Sequence, residues 1–394
     1  MITFSKGDLK VKNSLKSLAS QRTLTPSGVP ADISSSSLKN YIPQVIFVNC
    51  KIKFVRKLVI TMQSKTKPQN DKQGKPASFQ LANSPTKTKE KTSFKVLKQL
   101  KQSPFPVYLC KFLPDKQQAI LKVFPYDKSQ VSIFYKRETR LSFLKHPNII
   151  TILEMCPKSE VFEGKKCLPY SYVITQTASI GTFSHLIARG VFEGDEVLIR
   201  TYFHQLVIAL EHIHLRGLAH MDLKTDNILL SEDFLLKLAN FDSSVSKDDT
   251  FIHGRGTKNF RAPEVKNRMC KDPQAADIYS AGIILFALAV HKFPYLEDMT
   301  LEDYNLWAKL KLGANAFWES FELLNKQPLN LSDDFKELFI AMTAFEPEKR
   351  ISIKGIKECK WYQGRTYNKV ELRILMVHKL KRAEHRNKLV LTQN

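Results

Sequence analysis

His220-Met221-Asp222-Leu223-Lys224-Thr225-Asp226-Asn227 is the stretch on which the fold turns. Outward from it, the neighbouring segments read as follows. From Gly194 onward, Val197-Leu198, Tyr202, Leu206, Ala209-Leu210 and Ile213 make one apolar stripe at helical spacing. Far upstream, Phe94 to Val123 alternates apolar and polar residues with β-branched content. Turn signals at Ser103-Pro104 and Pro114-Asp115 break it, which predicts strands. Ser132 to Lys145 predicts a helix, ended by His146-Pro147-Asn148. Two more strands are expected at about 149–155 and 170–176, with a polar excursion between them. Strands first and helices afterwards predict an α+β protein with two lobes.

The 394 residues suit a two-lobed domain with tails. Net charge is +23, and residues 1–90 carry about half of it, with sixteen Lys/Arg against four Asp/Glu. Such an excess suits acidic partners or a solvated basic tail. It lacks interleaved aromatics, so no specific nucleic-acid binding is expected. Residues 63–92 are rich in Lys, Ser, Thr, Gln and Pro and offer little to bury, so 1–92 is expected to be a largely disordered basic extension. Tyr41 to Met62 is apolar in part, but Lys51, Lys53, Arg56 and Lys57 argue against a transmembrane helix. A strand pair, a partner-binding segment, or sequence lying before a true start at Met62 are the alternatives. Six scattered cysteines without C-x-x-C pairs fit a reducing compartment, and the N-terminus has no secretory apolar region. An intracellular, cytoplasmic protein is expected.

The eight-residue stretch resembles the catalytic loop of eukaryotic protein kinases, H-R-D-L-x-x-x-N. Ala119-Ile120-Leu121-Lys122 is similar to the V-A-I-K strand, and Gly256 to Glu264 resembles the G-T-x-x-Y-x-A-P-E end of the activation segment. Asp277-Ile278-Tyr279-Ser280-Ala281-Gly282 resembles D-x-x-S-x-G, and Arg350 follows Pro347 as in the last family motif. The motifs keep family order over about 94–362. The resemblance implies a bilobal kinase fold, with a small β-rich N-lobe at about 93–177 and a larger helical C-lobe at about 178–362. It also implies a Ser/Thr type, similar to the calmodulin-dependent kinases, that uses ATP and Mg²⁺ on a protein substrate. By resemblance, Lys122 holds the α/β-phosphates and Glu138 orients it. Asp222 accepts the substrate proton, Lys224 steadies the transferring phosphate, and Asn227 and Asn240 face the metal. Val107, Ile120, Thr175, Gln176, Ala178 and Leu229 would line the adenine slot.

The pattern breaks at several points. Asn240-Phe241-Asp242 stands where the family has D-F-G, so a neutral amide replaces a carboxylate ligand. Asp242 returns the charge two residues on, at a position the family gives to glycine. Lys101 to Val107 stands where a glycine-rich loop should cradle phosphates, and it contains no glycine. Ile120 replaces a small alanine, Met221 replaces the catalytic-loop arginine, and Thr182 replaces an acid after the hinge. The expectation is weak phosphoryl transfer to protein Ser/Thr; the alternative is a pseudokinase acting as a protein-binding scaffold. On sequence alone, Asn240→Asp is the change expected to restore activity. Residues 363–394 form a basic tail in which Val370, Ile374 and Val377 fall at helical spacing among Arg373, Lys379, Lys381, Arg382 and Arg386. This is similar to calmodulin-binding regulatory tails; a helix packed on the large lobe is the alternative.

Overall fold

Alternation along the first strands builds the small lobe. In this computed structural model the described residues are 94–392, apart from 103, 127–129, 164–165, 247–248, 250–254, 296–307, 313 and 326–329. The expectations for 1–92, including Tyr41 to Met62, lie outside the described residues. Five strands, β1 (Phe94–Gln102), β2 (Pro106–Phe112), β3 (Gln118–Pro125), β4 (Ile152–Glu163) and β5 (Lys166–Gln176), form an antiparallel sheet in the order β1-β2-β3-β5-β4. Tyr108, Cys110, Ala119, Leu121, Tyr172 and Ile174 share one buried cluster on one face. Because strand side chains alternate, the intervening residues fall on the other face. There Val107 pairs with Lys122, Lys122 with Val173, and Ile120 with Thr175.

Helix α1 (Ile133–Glu138) packs on that second face through Tyr135, against Phe124 and Val173. Ser132 caps it by accepting from the Phe134 N–H. It is shorter than the sequence predicts, giving way to a 3₁₀ turn at Thr139–Leu141. The Thr139 hydroxyl donates back to Tyr135 O at 2.9 Å, a local bond that competes with helix continuation. The polar excursion between the expected later strands is also ladder: β4 and β5 stay paired out to Glu163 and Lys166.

The large lobe is helical. Helix α2 (Phe183–Ala188) is capped by Thr182, and α3 (Glu196–His214) by Asp195. Leu198, Tyr202, Leu206, Ala209, Leu210 and Ile213 of α3 are buried, placing the predicted stripe in the core. Short strands β6 (Gly181–Thr182), β8 (Ile228–Leu230) and β9 (Leu236–Leu238) form one small sheet, and β7 (Leu218–Ala219) pairs with β10 (Val245–Ser246). Helices α4 (Pro263–Lys266), α5 (Pro273–Val290), α6 (Ala314–Asn325), α7 (Asp333–Met342), α8 (Ile353–Glu358) and α9 (Lys360–Gln363) follow. By length and composition α5 could cross a membrane, but it is 72% buried inside this lobe and reads as its core helix. Arg350 and Glu264 form a buried ion pair at 2.7 Å that fixes the α4 turn.

The last described helix, α10 (Lys369–Thr392), lies against the large lobe. Leu372, Met376 and Ala383 enter its core, while Lys379 reaches Asp195 at 3.1 Å and Arg386 reaches Glu193 at 3.3 Å. The stripe singled out in the sequence is on the outer side: Val370 is 68% exposed and Ile374 66%.

Candidate active site

Strand β3 delivers Lys122 to the face covered by α1, where the residue is only 9% exposed. Nζ donates to Glu138 Oε2 at 3.0 Å, to Asp242 Oδ2 at 2.8 Å and to Asn240 Oδ1 at 2.5 Å. Burial disfavours the charged form, but Glu138 and Asp242 outweigh it and hold Lys122 above the usual lysine range. The Phe124 and Phe105 rings face the same ammonium, with centroids at 5.2 and 5.9 Å. Glu138 thus lies on α1 within hydrogen-bond reach of Lys122. Asp242 has a partner that the sequence reading left open.

A second cluster surrounds Asp222. Thr257 Oγ1 donates to Asp222 Oδ1 at 2.7 Å and accepts from Lys224 Nζ at 2.6 Å. Lys224 also lies 3.1 Å from Asp222 Oδ2, and Asn227 Nδ2 donates to the Asp222 carbonyl at 2.7 Å and to Oδ2 at 3.1 Å. Asp277 on α5 holds this loop from beneath, accepting the backbone N–H groups of His220 at 2.7 Å and Met221 at 2.9 Å. That support matters because buried Met221 has a left-handed backbone, with φ of 63°. A small cavity of about 10 Å³, roughly the room of one water molecule, lies beside Asp222, lined in part by Gly256, Thr257, Phe260, Arg261 and Ala262. The roles of Thr257 and Asp277 were not assigned from sequence, although both stand inside motifs recognised there.

The segment preceding Asn240 joins the clusters. Ala239 N–H donates to Asn227 O at 2.9 Å, Ala239 O meets His220 Nε2 at 3.0 Å, and the buried Phe241 ring packs on His220 with centroids 4.7 Å apart. Above them, Val107, Ile120 and Thr175 share one face of the sheet, with Gln176 ending β5 and Ala178 just beyond it. All five are partly buried, as is Leu229 between the fully buried Ile228 and Leu230. The hairpin above the phosphate position differs from the expected loop. Gln102 pairs with Pro106, and Phe105 turns inward onto Phe124 at 4.9 Å and Phe134 at 5.0 Å. Nothing in the sequence signals that inward turn.

A family model described as the protein kinase domain matches residues 106–362. This chain belongs to the protein kinase family. The kinase is 31% identical over 281 residues to CBL-interacting protein kinase 26 of Oryza sativa subsp. japonica, covering 68% of this chain and 52% of that protein. It is 30% identical over 281 residues to CBL-interacting protein kinase 11 of the same plant, covering 68% and 51%. A probable serine/threonine-protein kinase of Dictyostelium discoideum is 33% identical over 225 residues, 56% of this chain and 24% of that protein. The chain thus spans about half the length, or less, of these curated relatives.

Kinases as a family use ATP and Mg²⁺, and the side chains here fit the two unequally. Asn227 points its Nδ2 at Asp222, which leaves Oδ1 as the oxygen to offer a hard cation, and Asp222 adds a carboxylate, while the Asp242 carboxylate is engaged by Lys122 and Ser243. Oxygen-only donors of this kind suit Mg²⁺. Asn240, expected to face the metal, instead turns its oxygen to Lys122. The triphosphate is served less well, because Pro104 and Pro106 contribute no backbone N–H to the covering hairpin. The kinase also ties its activation segment to the turn after α1: both Asp249 oxygens are bound by Arg140, Oδ1 at 2.9 Å. Those bonds hold the Asp249 carboxyl down at about 2.

Proposed function

We propose that this chain transfers the terminal phosphoryl group of ATP to Ser and Thr hydroxyls of proteins, slowly compared with the ~1–100 s⁻¹ of efficient kinases. The observation that supports this best is the assembled surroundings of Asp222. A substrate hydroxyl brought beside Asp222 would give its proton to the Asp222 carboxylate as its oxygen bonds phosphorus and the bond to the ADP oxygen breaks. Lys224, already 2.6 Å from Thr257, is positioned to face the charge that develops on the transferring group. Asn227 and the Asp222 carboxylate would hold Mg²⁺, which neutralises phosphate charge when bound. Val107, Ile120, Thr175, Gln176, Ala178 and Leu229 would take the base. The missing glycine cradle is the reason to expect slow transfer, since a lost preorganised contact costs about 3–4 kcal/mol.

The second reading, a pseudokinase that binds proteins without transferring phosphate, is favoured by the complete internal satisfaction of Lys122. In either reading, a calmodulin-type partner of the tail would meet Val370, Ile374 and Val377, the side chains that α10 leaves outside. Mg²⁺-dependent incorporation of phosphate into a basic protein substrate separates the two. Asp222→Asn should lower the wild-type rate by about 10²-fold or more, the scale of a lost general base. Equal rates in wild type and variant would leave the scaffold as the function.

A further inference from the structure

A lysine ammonium has three N–H donors and no more. Lys122 directs all three at protein: Glu138 Oε2, Asn240 Oδ1 and Asp242 Oδ2. The aromatic rings of Phe105 and Phe124 face the same Nζ. Asp242 is itself engaged on both oxygens, because Oδ1 accepts from Ser243 Oγ at 3.1 Å while Oδ2 accepts from Lys122. The position is local and enclosed, since Asp242 and Lys122 are each only 9% exposed. Two carboxylates therefore already engage the one cation that phosphates would need before any nucleotide arrives.

We propose that Asp242 is an internal stand-in for a nucleotide phosphate, occupying the donor of Lys122 that the ATP triphosphate would otherwise take. The proposal rests on the reading that the cleft receives ATP, and it names the step that limits that reading. Nucleotide must displace the Asp242 carboxylate from Lys122, and it enters against like charge while doing so. A carboxylate at this position thus sets nucleotide affinity, where glycine would leave the ammonium with a free donor. The alternative role for Asp242, a ligand to the metal, requires its oxygens to leave Ser243 and Lys122.

Isothermal titration of the full chain with ATP, once in EDTA and once in Mg²⁺, tests this against Asp242→Gly and Asp242→Asn. Asp242→Asn keeps the shape and removes only the charge, so it protects the test against a glycine variant that fails to fold. Affinity should rise at least tenfold in Asp242→Gly and by a smaller factor in Asp242→Asn, in both conditions. A fall in Mg²⁺-ATP affinity in Asp242→Asn would overturn the proposal and make Asp242 a metal ligand. Unchanged affinity, or no ATP binding by any of the three proteins, would also overturn it. Transfer is measured separately: tighter binding with no transfer upholds the stand-in and removes the kinase reading. Wild-type transfer with unchanged affinities does the reverse.

Discussion

Asn240 adopts a left-handed backbone, with φ of 69°, a conformation that Asn tolerates better than most residues, and from it Oδ1 reaches Lys122. The sequence alone suggests Asn240→Asp as a repair. The structure changes that expectation, because an acid at 240 would be the third carboxylate around one ammonium, after Glu138 and Asp242. Like charges so close disfavour joint ionisation. Asn240→Asp alone should give no gain in Mg²⁺-dependent transfer and should lower the melting temperature. Combined with Asp242→Gly, which returns the family's order of residues, it should raise transfer at least tenfold over the single variant, measured as initial rates at saturating ATP. Much of this site was legible: Lys122, Glu138, Asp222, Lys224 and Asn227 stand in motifs whose order fixed them, and the structure gathers them into two joined clusters. The aim of Asp242 and the inward turn of Phe105 were not legible. Both depend on backbone direction, in the turn after β9 and in a hairpin, which local composition does not encode.

At the scale of elements, the strands β1 to β3 and the α3 stripe followed from periodicity because their neighbours on each side bury one face. The end of α1 did not, since it depends on one hydroxyl bond from Thr139. Nor did the link between the activation segment and that turn, made by Arg140 and Asp249 across 109 positions of sequence. With Met221 in place of the family's arginine, this ion pair ties the two elements without a phosphate group. Its acid dependence has a definite sign. Asp249 is held near 2 in the folded protein, below the ordinary 3.8, so its contribution is complete above about pH 4 and is lost as pH falls through about 2. Asp249→Asn should therefore be less stable than wild type at pH 6, by up to about 2 kcal/mol. In urea titrations the gap should narrow as pH drops from 5 towards 3; a gap that widens would discard the tether.

For the whole molecule, the large lobe is organised around α5, whose Asp277 supports the catalytic loop while its apolar sides carry the core. Helix α10 completes that core from outside. Met376 is fully buried, so Met376→Ala should cost about 2–5 kcal/mol and lower the melting temperature accordingly. Val377→Ala, on the exposed side, should change it little, and equal losses from both would mean that α10 is not docked as described. The family match stops at 362, but Tyr367 N–H reaches Thr201 at 2.9 Å, and Leu372 and Met376 are core residues. A recombinant protein cut at that boundary would keep every recognised motif and lose part of its own floor. Low yield and clumping of such a shortened protein would then report a missing wall of the fold, and would say nothing about whether the enzyme can use ATP.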